Sequence, residues 1–301
     1  MTSLDARLVG ELLAEQFPQL ARCEVARLGE GCDSIAFDVD GRWVFRFPKR
    51  PDVEQQLFVE ERLLPVLAPH LPLRVPEYQF RGRPSARFPM HFGGYVRLSG
   101  EPAIHLEDAA RIQSPALAEQ LGAFLSGLHA FPIDQAAALG VPRECGASAL
   151  SYVQTEALES FDNVRSVAPD APLRQWENYL ASGAGATDVP SSTALVHNDL
   201  AAEHLLYDSA AATLTGVIDW SDVALGDVAA DFAGLFHWGG GGLVAGVLPH
   251  YRGRLDANVL ARARFRAACR GVGDVTFGLS TERPEYVTAG LRALRLCAGN
   301  G

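Results

Sequence analysis

The sequence predicts an α+β fold, with an antiparallel-sheet N-terminal part that carries one main helix and a larger, mostly helical C-terminal part. Three observations predict it: strand-like segments joined by glycine turns come first, helical periodicity dominates past residue 100, and short strands return around an acid- and amide-rich loop near residue 200. With 48% hydrophobic and 21% charged residues among 301, the chain can bury a substantial core as one large domain or two lobes.

The first segment, MTSLDARLVGELLAEQF, is interrupted by Asp5, Arg7, Glu11 and Glu15. It reads as an amphipathic helix and lacks the apolar run of a signal peptide. VARLGEGCDSIAFDVDGRWVFRFPK then reads as strand, glycine turn, strand, D-G hairpin at Asp40 and Gly41, and strand. Val53 to Leu67 carries apolar residues at helical spacing, and FPMHFGGYVRLSGEPA supplies a further strand. The break near Leu98 to Gly100 divides an N-terminal lobe, 1–97, from a C-terminal lobe, 98–301.

Beyond that break, Pro115 to His129, Ala149 to Val167 and Pro172 to Leu180 read as helices of an insert spanning 101–190. Short strands flank the polar loop between Thr193 and Asp219. The remainder reads as helical, broken by Gly239 to Gly242 and by Gly271 and Gly273.

A formal net charge of −10 opposes binding to a nucleic-acid backbone. No stretch is long and apolar enough to span a bilayer. Cysteines at 23, 32, 145, 269 and 297 show neither metal-ligand spacing nor a disulfide framework, which fits a reducing compartment. The expectation is a soluble cytoplasmic protein without a nucleic-acid or membrane partner. Charge is uneven: residues 101–190 hold twelve acids against four arginines, and residues 232–301 hold four acids against nine arginines.

The strongest chemical signal is HNDLAAEH, His197 to His204, followed by the apolar run Gly216-Val217-Ile218 ending at Asp219. An Asp on a loop and a second Asp at a strand end suit phosphoryl transfer, one orienting the attacking hydroxyl and the other coordinating magnesium on the phosphates. Each Asp alone would serve as well as a turn or cap residue. Their joint occurrence after a glycine turn and a sheet meander favours the chemical reading.

VHNDLAAEHLLYD and GVIDWSDVALGDVAADFAGL resemble the aminoglycoside phosphotransferase family, the antibiotic kinases that also include macrolide phosphotransferases, and look most like aminoglycoside 2''-phosphotransferases. GEGCDSIAF, VFRFPK, LPLRVPE, GGYVRLSGEP and AFLSGLHA extend the resemblance in order over roughly residues 25 to 235. It implies a bilobal protein-kinase-like fold and transfer of the γ-phosphate of ATP or GTP to a small-molecule hydroxyl, with Mg2+.

Residue by residue, the resemblance makes Asp199 the catalytic base and Asp219 a magnesium ligand. His204 stands where the wider kinase pattern has a metal-binding Asn. His197 is implied to hold the loop in shape, and Asp231 to bond its backbone. Gly31 and Ser34 belong to the turn that covers the phosphates, where a glycine lets the backbone approach closely. Arg46 takes the strand position expected to hold a lysine, and Glu60 is the helix acid that pairs with it; Lys49 is the backup phosphate ligand. Arg keeps the charge but offers a bulkier, forked set of donors. Val96 and Leu98 would meet the purine through backbone groups, which leaves ATP and GTP undistinguished.

An aminoglycoside acceptor needs carboxylates, and Glu101, Glu107, Asp108, Glu156, Glu159 and Asp162 are the candidates, each of which would also suit a solvated helix face. Asp222 and Glu203 would add negative charge near the reacting centre. FHWGGGGL and the arginines from Arg262 to Arg270 suit a macrolide or another small metabolite instead, or form a solvent face. A pseudokinase that binds nucleotide without transferring phosphate is the alternative outside catalysis.

Overall fold

A computed structural model describes residues 4–106, 109–144, 146–183 and 193–299. The chain divides into two compact units, Met1–Ala68 with Arg74–Leu98, and Pro69–Leu73 with Ser99–Gly301.

In the first unit, α1 (Ala6–Gln16) starts at Asp5, whose carboxylate accepts the Leu8 N–H at 2.8 Å. Three antiparallel strands follow, β1 (Val25–Glu30), β2 (Ser34–Val39) and β3 (Trp43–Pro48). The β2–β3 hairpin turns on Asp40 and Gly41, both left-handed at φ 55° and 65°. That backbone matches the twist of the flanking strands, which is why a D-G pair announces it. Helix α2 (Pro51–Leu67) begins slightly before the predicted Val53, with Pro51 where a missing N–H costs nothing.

β4 (Tyr78–Gly82) and β5 (Phe92–Val96) complete a sheet of order β1-β2-β3-β5-β4. β4 is not among the strands expected from the sequence, although its residues alternate buried and exposed as a one-sided strand should. Phe45, Phe47, Phe80 and Phe92 join Val9, Leu12 and Leu13 of α1 in one buried cluster.

The second unit opens with the two-residue β6 (Glu101–Pro102) and a short α3 (Ala109–Ile112), then α4 (Pro115–His129) as expected, and α5 (Ile133–Ala138). The helix expected from Ala149 to Val167 is two helices, α6 (Gly146–Glu159) and α7 (Phe161–Val167). The chain turns at Ser160, and the turn lets Phe161 and Val164 both bury. α8 (Leu173–Ser182) runs two residues past its predicted end and stops at left-handed Gly183.

Short strands then carry the polar loops: β7 (Ala194–Val196) pairs with β10 (Ala224–Gly226), while β8 (Leu205–Asp208) lies between β6 and β9 (Thr213–Val217). Three long helices close the chain, α9 (Ala229–Val247), α10 (Val259–Thr281) and α11 (Pro284–Ala298). The glycine run does break α9, at Gly240 with φ 65° and ψ −163°.

Gly271 and Gly273, expected to break a helix, instead lie inside the continuous α10. A Cβ on Gly271 would sit 2.9 Å from the Gly290 carbonyl oxygen of α11, so the missing side chain serves close helix packing. Gly234 does the same for the polar loop, since any side chain there would collide with the Leu200 carbonyl. No helix among the described residues is long and apolar enough to cross a membrane.

Candidate active site

β7 delivers His197, Asn198 and Asp199 into a loop that needs outside support, because Asn198 is left-handed at φ 68°. Asp231, wholly buried in the first turn of α9, provides it. Its two carboxylate oxygens accept the His197 N–H at 3.0 Å and the Asn198 N–H at 2.8 Å. His129 donates from Nε2 to the same Asp231 at 3.0 Å, which leaves its Nδ1 to accept from the Tyr251 hydroxyl at 2.8 Å. The predicted bond between Asp231 and the loop backbone is therefore present, and His129 and Tyr251 extend it.

His197 is also buried and donates from Nε2 to the Ile218 carbonyl at 3.1 Å. Burial lowers its pKa, which keeps the ring neutral and suited to bracing. Ile218 in turn donates its N–H to the His204 carbonyl at 2.9 Å, so the loop and the end of β9 hold each other.

His204 stands between the two carboxylates of interest. Its Nδ1 donates to the Asp199 carbonyl at 2.8 Å and lies 3.4 Å from Asp199 Oδ2, while Nε2 lies 3.5 Å from Asp219 Oδ2. Burial disfavours its charged form, but Asp199 and Asp219 outweigh that and raise its pKa. Asp219 is left-handed at φ 61°, with its carboxylate partly exposed and accepting from the Ser221 hydroxyl at 3.0 Å. The three predicted residues Asp199, His204 and Asp219 thus come together.

The first unit assembles the other predicted residues. Arg46 reaches Glu60 at 2.9 and 3.1 Å, and the Tyr78 hydroxyl donates to the same carboxylate at 2.9 Å. Gly31 and Ser34 close one turn through a 3.0 Å backbone bond, and Lys49 Nζ donates to the Gly31 carbonyl at 2.7 Å. Open space surrounds the position of a Gly31 Cβ. Val96 ends β5 opposite Trp43, and Leu98 lies two residues beyond in the segment that ends this unit.

Asp199 also lines a cavity of about 590 Å3 within the second unit, walled by α6, α9 and α10. Among the predicted acceptor acids only Glu156 lines it; Glu101, Glu159 and Asp162 do not, and Glu107 and Asp108 fall outside the described residues. The cavity also contains three charged residues that the sequence reading left without individual roles, Arg266, Arg270 and Asp274.

The arginines of α10 do not form a solvent face. Arg262 is buried against Asp227 and Asp256, Arg264 donates to the Cys297 and Gly299 carbonyls, and Arg266 reaches Glu144 at 2.6 Å. Arg270 donates to Asp199 Oδ1 and, at 3.0 Å, to Glu203 Oε1. Burial opposes ionisation of Asp199, yet Arg270 and His204 hold its carboxyl well below the usual carboxylate range.

The model of the phosphotransferase enzyme family APH matches residues 24–266, which contain both units' predicted site residues. The chain belongs to this family. APH(2")-IIia in complex with GDP and kanamycin superposes on this phosphotransferase with a TM-score of 0.72 at 27% identity, covering 95% of this chain and 97% of the other. The macrolide 2'-phosphotransferase MphH from Brachybacterium faecium gives 0.61 at 26% identity, covering 97% and 98%. Protein YcbJ of Bacillus subtilis (strain 168) is 26% identical over 98% of each chain. The antiparallel first unit and helical second unit of this phosphotransferase are the kinase-like fold shared with the solved aminoglycoside-kinase structures.

Proposed function

We propose that the chain transfers the γ-phosphoryl group of ATP or GTP to a hydroxyl of a small molecule, with aminoglycosides the first candidate acceptors and macrolides the second. The observation that carries this reading is the cluster in which His204 links Asp199, on a cavity wall, to Asp219. In it, Asp199 orients the acceptor hydroxyl and receives its proton as the oxygen attacks phosphorus. Depressed basicity suits this role, because a loose transition state needs placement of the hydroxyl more than strong deprotonation.

Asp219 and His204 would hold magnesium, which neutralises phosphate charge when bound. Their fit rests on the partly exposed Asp219 side chain, one of whose carboxylate oxygens has the His204 imidazole nitrogen 3.5 Å away. Among the described residues there is no cluster of three or more His, Cys, Asp or Glu side chains able to enclose a metal. Magnesium takes few protein ligands, because it keeps several waters and coordinates phosphate oxygens. Gly31 and Ser34 would cover the phosphates, Arg46, held by Glu60, would bind them, and Val96 and Leu98 would meet the base through their backbones.

A panel of aminoglycosides and macrolides with ATP and GTP, read by mass spectrometry of the products, tests the reading. The expected result is a gain of one phosphate on at least one compound. Nucleotide binding without any phosphorylated product would favour a binding module. Asp219→Ala should remove magnesium-dependent nucleotide binding, and an unchanged affinity would refute the metal assignment.

A further inference from the structure

The acceptor cavity contains a cation of its own. Arg270, on α10, lines the cavity and reaches back to the loop, donating to Asp199 Oδ1 and to Glu203 Oε1 at 3.0 Å. Asp274, one turn further along the helix, approaches Arg270 Nε at 3.9 Å. Its other oxygen lies 2.9 Å from His237 Nε2 behind the wall. Arg266, one turn earlier, is neutralised by Glu144.

These pairings leave little negative charge for a ligand. Of the lining carboxylates, Asp199 and Asp274 already face Arg270, and Glu156 accepts the Tyr152 hydroxyl at 2.6 Å. A polycation needs several uncompensated carboxylates, and among the described residues this wall offers Glu156. Expelling Arg270 would strip two partly buried carboxylates, Asp199 and Glu203, of their counterion, which proteins resist strongly.

An acceptor hydroxyl does not have to expel it. A carboxylate accepts about four hydrogen bonds, and Arg270 takes Oδ1 in a single one. A hydroxyl bound to Asp199 beside the guanidinium would place the next substituent of the acceptor against guanidinium N–H groups. An oxygen is welcome there as a hydrogen-bond acceptor, and an ammonium is repelled.

We propose that Arg270 is a specificity-determining residue, which makes the acceptor a sparsely charged polyhydroxyl compound with an oxygen substituent beside its reacting hydroxyl, and disfavours polycations. The proposal rests on the reading of Asp199 as the residue that receives the acceptor hydroxyl. It reverses the order of the two acceptor classes proposed above, which fold and family leave together, by placing polycationic aminoglycosides behind sparsely charged acceptors.

The test pairs the charge on the protein with the charge on the ligand. Kanamycin and its fully N-acetylated derivative, which keeps the hydroxyls and loses the ammonium charges, are titrated calorimetrically against the magnesium-nucleotide complex of the protein. The wild type should bind the acetylated compound at least as tightly as kanamycin, and Arg270→Met should shift the ratio towards kanamycin by about tenfold or more, as expected when a like charge is removed. Arg270→Gln, which keeps a donor to Asp199, should shift it in the same direction.

A wild type that binds kanamycin about tenfold more tightly than the acetylated compound overturns the proposal, even if neither variant folds. An unchanged ratio in a folded variant does the same, as does a nucleotide-bound wild type that binds neither compound. Failure to bind ATP or GTP with magnesium would instead defeat the kinase reading. The two ligands titrated without nucleotide would still report the role of Arg270.

Discussion

Two arginine–carboxylate pairs, one in each unit, use the same bond to opposite ends. In the first unit Glu60 is the support: it takes Arg46 and the Tyr78 hydroxyl together, in a site where the acid is 1% exposed. In the second unit the acid, Asp199, is the proposed working group, and Arg270 is placed upon it. An arginine–carboxylate pair therefore has no fixed meaning. What matters is which partner faces the ligand.

Asp199→Asn gives the largest expected effect on that comparison. Turnover should fall by about a thousandfold, the usual range for losing a positioned acid–base group, with nucleotide affinity retained. An active Asn variant would show that the second pair is only structural. The magnesium-nucleotide titration that tests Asp219 serves as its control.

Glu60→Gln comes next. It leaves Arg46 and Tyr78 beside an uncharged amide, so KM for nucleotide should rise by about tenfold or more with a smaller change in kcat, the loss expected for one charge-assisted bond. A change confined to kcat would mean that Arg46 does not serve nucleotide binding.

Stability separates the pairs further. Arg270→Met should cost about 2 kcal/mol at neutral pH by chemical denaturation, as loss of a charged hydrogen bond does. The sign with pH follows from Asp199, whose folded pKa is depressed. Its contribution is complete above the unfolded value of about pH 4 and is lost as pH falls towards the folded value. The gap between wild type and variant should thus be widest at neutral pH and narrow below about pH 4. A gap that widens in acid would contradict the contact.

The smallest effect is expected at Tyr251→Phe, which removes the hydroxyl that bonds His129 while Asp231 still holds both loop N–H groups. A loss of about 1 kcal/mol in stability is expected, with turnover within a few-fold of wild type. A collapse in turnover would show that His129 sets the loop geometry directly.

Much of this was legible in the residues themselves. The D-G pair fixed the β2–β3 hairpin through its left-handed backbone, and helical periodicity marked α2 and α4. HNDLAAEH and the apolar run ending at Asp219 brought Asp199 and Asp219 to notice as a loop Asp and a strand-end Asp, and the family resemblance added His204. The β4 strand was missed because its alternation is brief and lies among prolines and arginines.

By itself the sequence determined the chemical inventory, a loop Asp and an Asp ending an apolar run, and its family resemblance pointed to the histidine between them and to Arg46 with Glu60 as its partner. Only the tertiary structure decided which charges are already spent. Arg270 is 71 residues from Asp199, and nothing in local periodicity links them. Only the packing of α10 against the loop, with Gly234 letting α9 approach and Gly271 letting α11 approach, brings the guanidinium to the carboxylate. Charge counted along a chain shows what is available, whereas compensation depends on distances of a few ångströms that folding alone sets.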